Sequence, residues 1–182
     1  MKVLIIGSGG REHALCHAFK KSTTVEELFC IPGNAGTASI AKNFDVNIKN
    51  FEKIKEFVKQ HEVDLVVIGP EQPLVDGIVD YLNKNNIKVF GPNKEASQLE
   101  GSKIFTKELC KKYNSIFHSD IAQSIGTQKI DVNEMSIDAC SISAHKIYGP
   151  KGVGALILNH EPSKFLTPIS HGGLQEQEIR SG

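Results

Sequence analysis

Five short apolar runs, each followed by a stretch with helical spacing, fill roughly the first hundred residues and leave little freedom in how they fold. The runs read "KVLII", "EELFCI", "FDVNI", "DLVVIG" and "IKVFG", each of strand length. Between them, Leu15, Ala18 and Phe19 share one helix face, Phe51, Ile54 and Val58 another, and Val75, Ile78, Val79 and Leu82 a third. Alternation of this kind implies a parallel sheet with right-handed crossovers, the doubly wound α/β class. In such folds ligands sit at the carboxyl ends of the strands. A chain of 182 residues has room for one such domain and a fragment, and two full domains would be tight.

The loops at the strand ends carry the chemistry. In "GSGGREHA" a glycine-rich turn opens directly into a helix, so that backbone N–H groups and the positive end of the helix face a phosphate. A tight turn without a ligand has the same letters. A dinucleotide loop would have glycine where Glu12 stands and an acid after the second strand, which instead ends in "CIPG", so NAD is disfavoured. In "IGPEQPLVDG", Glu71 is expected on a loop with Pro73 beginning the next helix. Its carboxylate accepts hydrogen bonds from neighbouring sugar hydroxyls or serves as a helix-start charge. "PGNAGT" reads as turn chemistry that brings backbone close to a ligand, or as a plain connector. His13 and His17 are four apart on one helix, but no third metal ligand is nearby, so no metal site is expected.

Charge narrows the partners. Basic and acidic residues number 21 each, so the formal net charge is zero and there is no basic stripe for nucleic acid or an acidic membrane. A small molecule or another protein is the expected partner. The four cysteines, Cys16, Cys30, Cys110 and Cys140, form no CxxC pair and follow no secretory signal, which reads as reduced thiols in a cytoplasmic protein.

The segments "KVLIIGSGGREHA", "PGNAGT", "GPEQPLVDGIVD" and "FGPNKEASQLEGSKIFTK" follow one another in an order and spacing that resembles the phosphoribosylamine–glycine ligases, also called glycinamide ribonucleotide synthetases, over residues 1 to 114. The resemblance implies a Rossmann-like pre-ATP-grasp domain of purine biosynthesis over residues 1–101. In it Gly7, Ser8, Gly9, Gly10 and Arg11, together with Gly33, Asn34 and Glu71, would hold phosphoribosylamine. Residues 102–114 would begin the ATP-grasp region that binds ATP and magnesium, and there the resemblance stops.

From Ser115 the text changes. "FHSDIAQSIGTQKIDVNEMSIDACSISAHKIYGPKGVGALIL" and "HGGLQEQEIRSG" resemble the middle of the cysteine desulfurases, fold type I enzymes dependent on pyridoxal phosphate. The resemblance implies that Asp120 pairs with the pyridinium nitrogen, Gln123 meets the phenolic oxygen, Ser143 and His145 meet the phosphate, and Lys146 is the Schiff-base lysine. The types suit the chemistry: a carboxylate keeps the ring nitrogen protonated so that the ring is an electron sink, and a lysine forms the imine. The family's phosphate loop and stacking histidine would precede this segment, and its mobile catalytic cysteine would follow it. Cys140 reads as a packed strand residue. Residues 115–182 are therefore expected to be an incomplete piece of that domain, with apolar strands such as "VGALIL" uncovered.

The junction near "KKYNSIF" has no linker rich in Gly, Ser or Pro, which points to a gene deletion, a truncated hybrid reading frame or a mis-assembled sequence. The expected protein is a hybrid that keeps phosphoribosylamine binding and is catalytically incomplete as ligase and as desulfurase. Two other readings stand beside it: a desulfurase remnant able to hold pyridoxal phosphate, from a family serving sulfur transfer and iron–sulfur cluster assembly, and a non-catalytic α/β module.

Overall fold

A computed structural model describes residues 1–159, 166–169, 171–173, 175 and 176, and the rest of "HGGLQEQEIRSG" lies outside them. The chain forms two compact units, Met1–Ser102 and Lys103–Gly182.

The first unit is built on strand β1, Lys2–Gly7, whose Val3, Leu4, Ile5 and Ile6 are all fully buried. A run without a polar residue can lie only where both faces of a sheet are covered. Strands β2 (Glu27–Pro32), β3 (Lys42–Asn43), β4 (Leu65–Ile68) and β5 (Val89–Phe90) join it in the order β3-β2-β1-β4-β5, every pair parallel. Alternate residues go to opposite faces. Leu4, Ile6, Phe29, Ile31, Val66 and Ile68 pack against helices α3 (Phe51–His61), α4 (Glu71–Asp76) and α5 (Ile78–Lys84), while Val3, Ile5, Leu28, Cys30 and Val67 pack on the face that α1 (Gly10–Lys20) covers. A short helix α2 (Ala35–Ala38) and helix α6 (Lys94–Gly101) complete the unit. This is the doubly wound α/β fold expected. Its strand order reverses beside β1, with β2 on one side and β4 on the other, and there the carboxyl-end loops part to make a crevice.

Four local expectations need correction. "FDVNI" is not a strand: pairing ends at Asn43, apart from one bond from Phe44 N–H to Cys30 O at 3.1 Å, and Val46 N–H turns back to Phe44 O. The alternation of Phe44, Val46 and Ile48 is real, but it serves to lay a covering segment over the core. On α1 the inward positions are Glu12 and Cys16, flanked by half-buried Leu15 and Phe19, whereas Ala18 faces solvent. The helical pattern from Val75 to Leu82 is two helices, because Gly77 at φ +97° caps α4 in the left-handed conformation and starts α5. Glu71 is the first residue of α4 rather than a loop residue, with Pro73 within its first turn, and "NAGT" enters α2.

The second unit begins with helix α7, Lys103–Lys112, and continues into a three-stranded sheet, β6 (His118–Asp120), β7 (Ala139–Ser143) and β8 (Gly154–Leu158). β6 and β7 are parallel, β7 and β8 antiparallel. Its buried cluster is Phe117, Ile121, Ile137 and Cys140, and on β8 Leu156 is 48% and Ile157 37% exposed.

All four cysteines are free thiols. Burial pushes the Cys16 thiol up to about 12 and those of Cys30 and Cys140 upward, so none of these three is poised as a nucleophile. Among the described residues no helix is long and apolar enough to cross a membrane, and no group of three or more His, Cys, Asp or Glu could hold a metal ion. The His13 and His17 rings simply pack at 4.8 Å.

Candidate functional site

Three loops meet at the carboxyl ends of β1, β2 and β4, and side chains tie them together. The β1–α1 loop runs from Gly7 through Ser8 and Gly9 to the start of α1. Asn34, at the N-cap of α2, donates from Nδ2 to Ser8 O at 2.8 Å and to Gly9 O at 3.3 Å, which fastens the "PGNAGT" loop to the glycine turn. Asn34 is itself held: its Oδ1 accepts from Thr37 N–H at 2.9 Å, its N–H donates to Thr37 Oγ1 at 2.7 Å, and its carbonyl accepts from Asn43 Nδ2 at 2.9 Å. Gly33 N–H donates to Gly7 O at 3.1 Å, and a Cβ on Gly33 would lie 2.4 Å from the Asn43 side chain, so this close approach needs glycine.

Arg11 closes the other side. Its Nη1 donates to Gly69 O and its Nη2 to Glu71 Oε1, both at 2.8 Å. The guanidinium beside Glu71, followed by the backbone N–H at the helix start, holds the Glu71 carboxyl below its ordinary value of 4.5. Below the loop lies Glu12, a carboxylate only 4% exposed, whose Oε2 accepts Gly9 N–H at 2.5 Å. The result is an open cleft of about 410 Å³ lined by Gly7, Ser8, Gly9, Gly10, Arg11 and Glu71 with Glu12, Ile48 and Pro70. Backbone donors at a helix start, a guanidinium and a carboxylate together suit an anion attached to a hydroxyl-rich body.

The structure thus brings Gly7, Ser8, Gly9, Gly10, Arg11, Asn34 and Glu71 to one place, with Gly33 supporting Asn34. By its sequence alone Glu12 reads only as a missing glycine. The signal was there: a glutamate three residues after the N-cap is the spacing that lets a side chain reach back to the cap N–H.

The Arg11–Glu71 pair has a pH signature. A carboxyl group lowered in the folded state contributes stability above its unfolded value and loses it as the pH falls from about 4.5 through the lowered value. Side-chain exposure of 61% for Arg11 and 46% for Glu71 keeps the contribution small. The stability difference between the wild-type chain and Glu71→Gln, followed by thermal unfolding, is expected to be present at pH 7 and to vanish as acid is added below that window. A difference independent of pH would assign the effect to packing.

The residues in the second unit form a different set. Asp120 ends β6 and accepts from Ala122 N–H at 2.8 Å, while its carbonyl accepts from Lys103 Nζ at 2.6 Å. The parallel register sets Asp120 beside Ser141, so Ser143 at the end of β7, and the 3-10 turn Ala144–Ile147 with His145 and Lys146, emerge at the same end of the sheet. The residue types suit pyridoxal phosphate, but the surroundings do not. Asp120, Gln123, His145 and Lys146 are all exposed, whereas an imine that is to be worked on needs water kept away. No chemical step through that cofactor follows from this arrangement.

Comparison with known proteins separates the two halves. Residues 1–100 match the family described as phosphoribosylglycinamide synthetase, N domain, and residues 97–181 match aminotransferase class-V. The phosphoribosylamine–glycine ligase of Caldanaerobacter subterraneus subsp. tengcongensis is 47% identical over 113 residues, covering 62% of this chain and 27% of the relative. That of Clostridium acetobutylicum is 50% identical over 114 residues, covering 63% and 27%. The chain therefore spans about a quarter of the length of the curated relatives it matches. The crystal structure of phosphoribosylglycinamide synthetase from Anaerococcus prevotii shares the fold, with a TM-score of 0.50 at 24% identity over 64% of this chain and 30% of that one. The sequence is a hybrid of two families, and through residues 1–100 the chain belongs to the phosphoribosylglycinamide synthetase N-domain family.

Proposed function

We propose that the unit Met1–Ser102 binds phosphoribosylamine in the cleft between the glycine loop, Asn34 and Glu71, and that the 182-residue chain by itself turns over neither ligase nor desulfurase substrates. The observation that carries this reading is the convergence of Gly7–Arg11 and Glu71 on one crevice at the point where the strand order reverses, with Asn34 fastened to the glycine loop beside it. Membership of a ligase family of purine biosynthesis supports a ribose phosphate as the ligand class. The phosphate would take the first-turn N–H groups of α1 and the Arg11 guanidinium, and Glu71 would accept from ribose hydroxyls.

The loss of turnover rests on the segment that succeeds the N domain in this chain. Residues from 97 onward match the aminotransferase family, whereas transfer of a phosphoryl group needs a site that neutralises its developing charge. Lys146 and Asp120 stand at one sheet end, but they are open to water and have no thiolate partner among the buried cysteines of the described residues.

Calorimetric titration with ribose 5-phosphate, as a stable stand-in, is expected to show saturable binding that ribose alone does not reproduce. Arg11→Ala should weaken it by about tenfold or more, the worth of one charge-assisted hydrogen bond. Absence of ribose 5-phosphate binding would overturn the cleft assignment. ATP-dependent product from phosphoribosylamine and glycine, or sulfide from cysteine above a Lys146→Ala control, would overturn the second half of the reading.

A further inference from the structure

We propose that Glu12 is the positioning residue of the phosphate loop: its buried carboxylate fixes the loop's shape and fills the space that a dinucleotide-binding loop keeps for its own glycine. This rests on the cleft assignment above only for its ligand readout.

Burying a carboxylate is costly unless it is hydrogen-bonded, and a helix surface offers many cheaper residues. Glu12 is 4% exposed, sits in the first turn of α1 where a negative charge is favoured, and accepts Gly9 N–H. The surrounding backbone is shaped around it. A Cβ on Gly69, at the end of β4, would lie 2.0 Å from Glu12 Oε1. On Gly7, at the end of β1, it would lie 2.6 Å from Glu12 Cδ, and on Gly9 it would lie 2.9 Å from Oε2. Three glycines from two strand ends and the loop between them are therefore needed by one side chain. A ligand is not required to explain them.

The consequence reaches the cleft. Gly9 N–H is turned inward to Glu12, which leaves the first-turn N–H groups of Gly10 and Arg11 to meet an anion, and Arg11, the next residue, is held against Gly69 O and Glu71. Glu12 thereby sets the direction of the donors.

The test uses the full chain and three variants. Glu12→Ala is expected to weaken ribose 5-phosphate binding by about tenfold or more, while Glu12→Gln, which keeps the shape and an acceptor for Gly9 N–H, stays within about threefold of wild type. Cys16→Ala, on the same buried face one turn later, should lower the unfolding temperature yet leave affinity unchanged. In the ligand-free chain, the Gly9 amide should exchange with solvent slowly in wild type and Glu12→Gln and rapidly in Glu12→Ala. Equal affinity of Glu12→Ala and wild type, failure of Glu12→Gln to rescue, or an equal loss in Cys16→Ala at matched stability would each overturn the proposal. If wild type binds no ribose 5-phosphate, the cleft assignment falls, and the Gly9 exchange rates alone decide the role of Glu12: rapid exchange in Glu12→Ala only upholds it, and identical rates overturn it.

Discussion

Phe29→Ala is expected to remove about 3–5 kcal/mol from the stability of the N-terminal unit, a large share of the roughly 5–15 kcal/mol typical of a domain. Phe29 lies near the middle of β2, beside Leu4 in register, and is 2% exposed. Its ring packs edge-on against Phe57 at 5.8 Å and lies tilted against His61 at 5.3 Å and Phe44 at 6.1 Å. These partners come from the covering segment after β3 and from α3, so removing the ring leaves a cavity that neither element can close alone. The chain has no tryptophan, so urea denaturation followed by circular dichroism is the suitable measurement. A loss below about 1 kcal/mol would show that the aromatic cluster collapses around the gap. The rim substitution Phe44→Leu, which nearly conserves volume, should cost under about 1.5 kcal/mol.

Gly7→Ala should produce the second-largest loss. Gly7 sits at φ +129°, a conformation that L-residues rarely adopt, and holding alanine there costs about 1–3 kcal/mol. The added methyl would also meet Glu12 Cγ and Cδ at 2.6 Å in a site with little room to yield. Two costs therefore combine, and relief of one should be visible. In the double variant Gly7→Ala with Glu12→Ala the steric part should disappear while the backbone part remains, so the two losses are expected to be less than additive. Strict additivity, measured by the same denaturation, would mean that Gly7 and Glu12 do not share the space the geometry gives them.

Much of this molecule was legible from local pattern. The β1 run could only be a doubly covered strand, the four other sheet strands fall within or beside apolar runs, and Gly7, Ser8, Gly9, Gly10, Arg11, Asn34 and Glu71 were all singled out and do converge. The reason is that strand and turn preferences act over a few residues, so the letters nearby suffice. Where the neighbour lies far along the chain, the letters did not suffice. "FDVNI" alternates like a strand, yet whether it pairs depends on an edge the sheet does not continue beyond Asn43. Arg11 and Glu71 are sixty residues apart, and only the placement of β4 beside β1 makes them a pair.

Glu12 shows the division most clearly. From the sequence it is a departure from a glycine motif with the spacing of a capping box, and the burial of its carboxylate carries no local signal. In the tertiary structure the ends of β1 and β4 supply glycines at 7 and 69 whose missing side chains leave its space, and the loop supplies the N–H that satisfies it. Local pattern sufficed for four of the five expected strands, for the two family resemblances and for most of the cleft's residues. Sheet order and close packing decided which glycines leave room for the Glu12 side chain, since that depends on atoms brought within 3 Å of each other from distant parts of the chain.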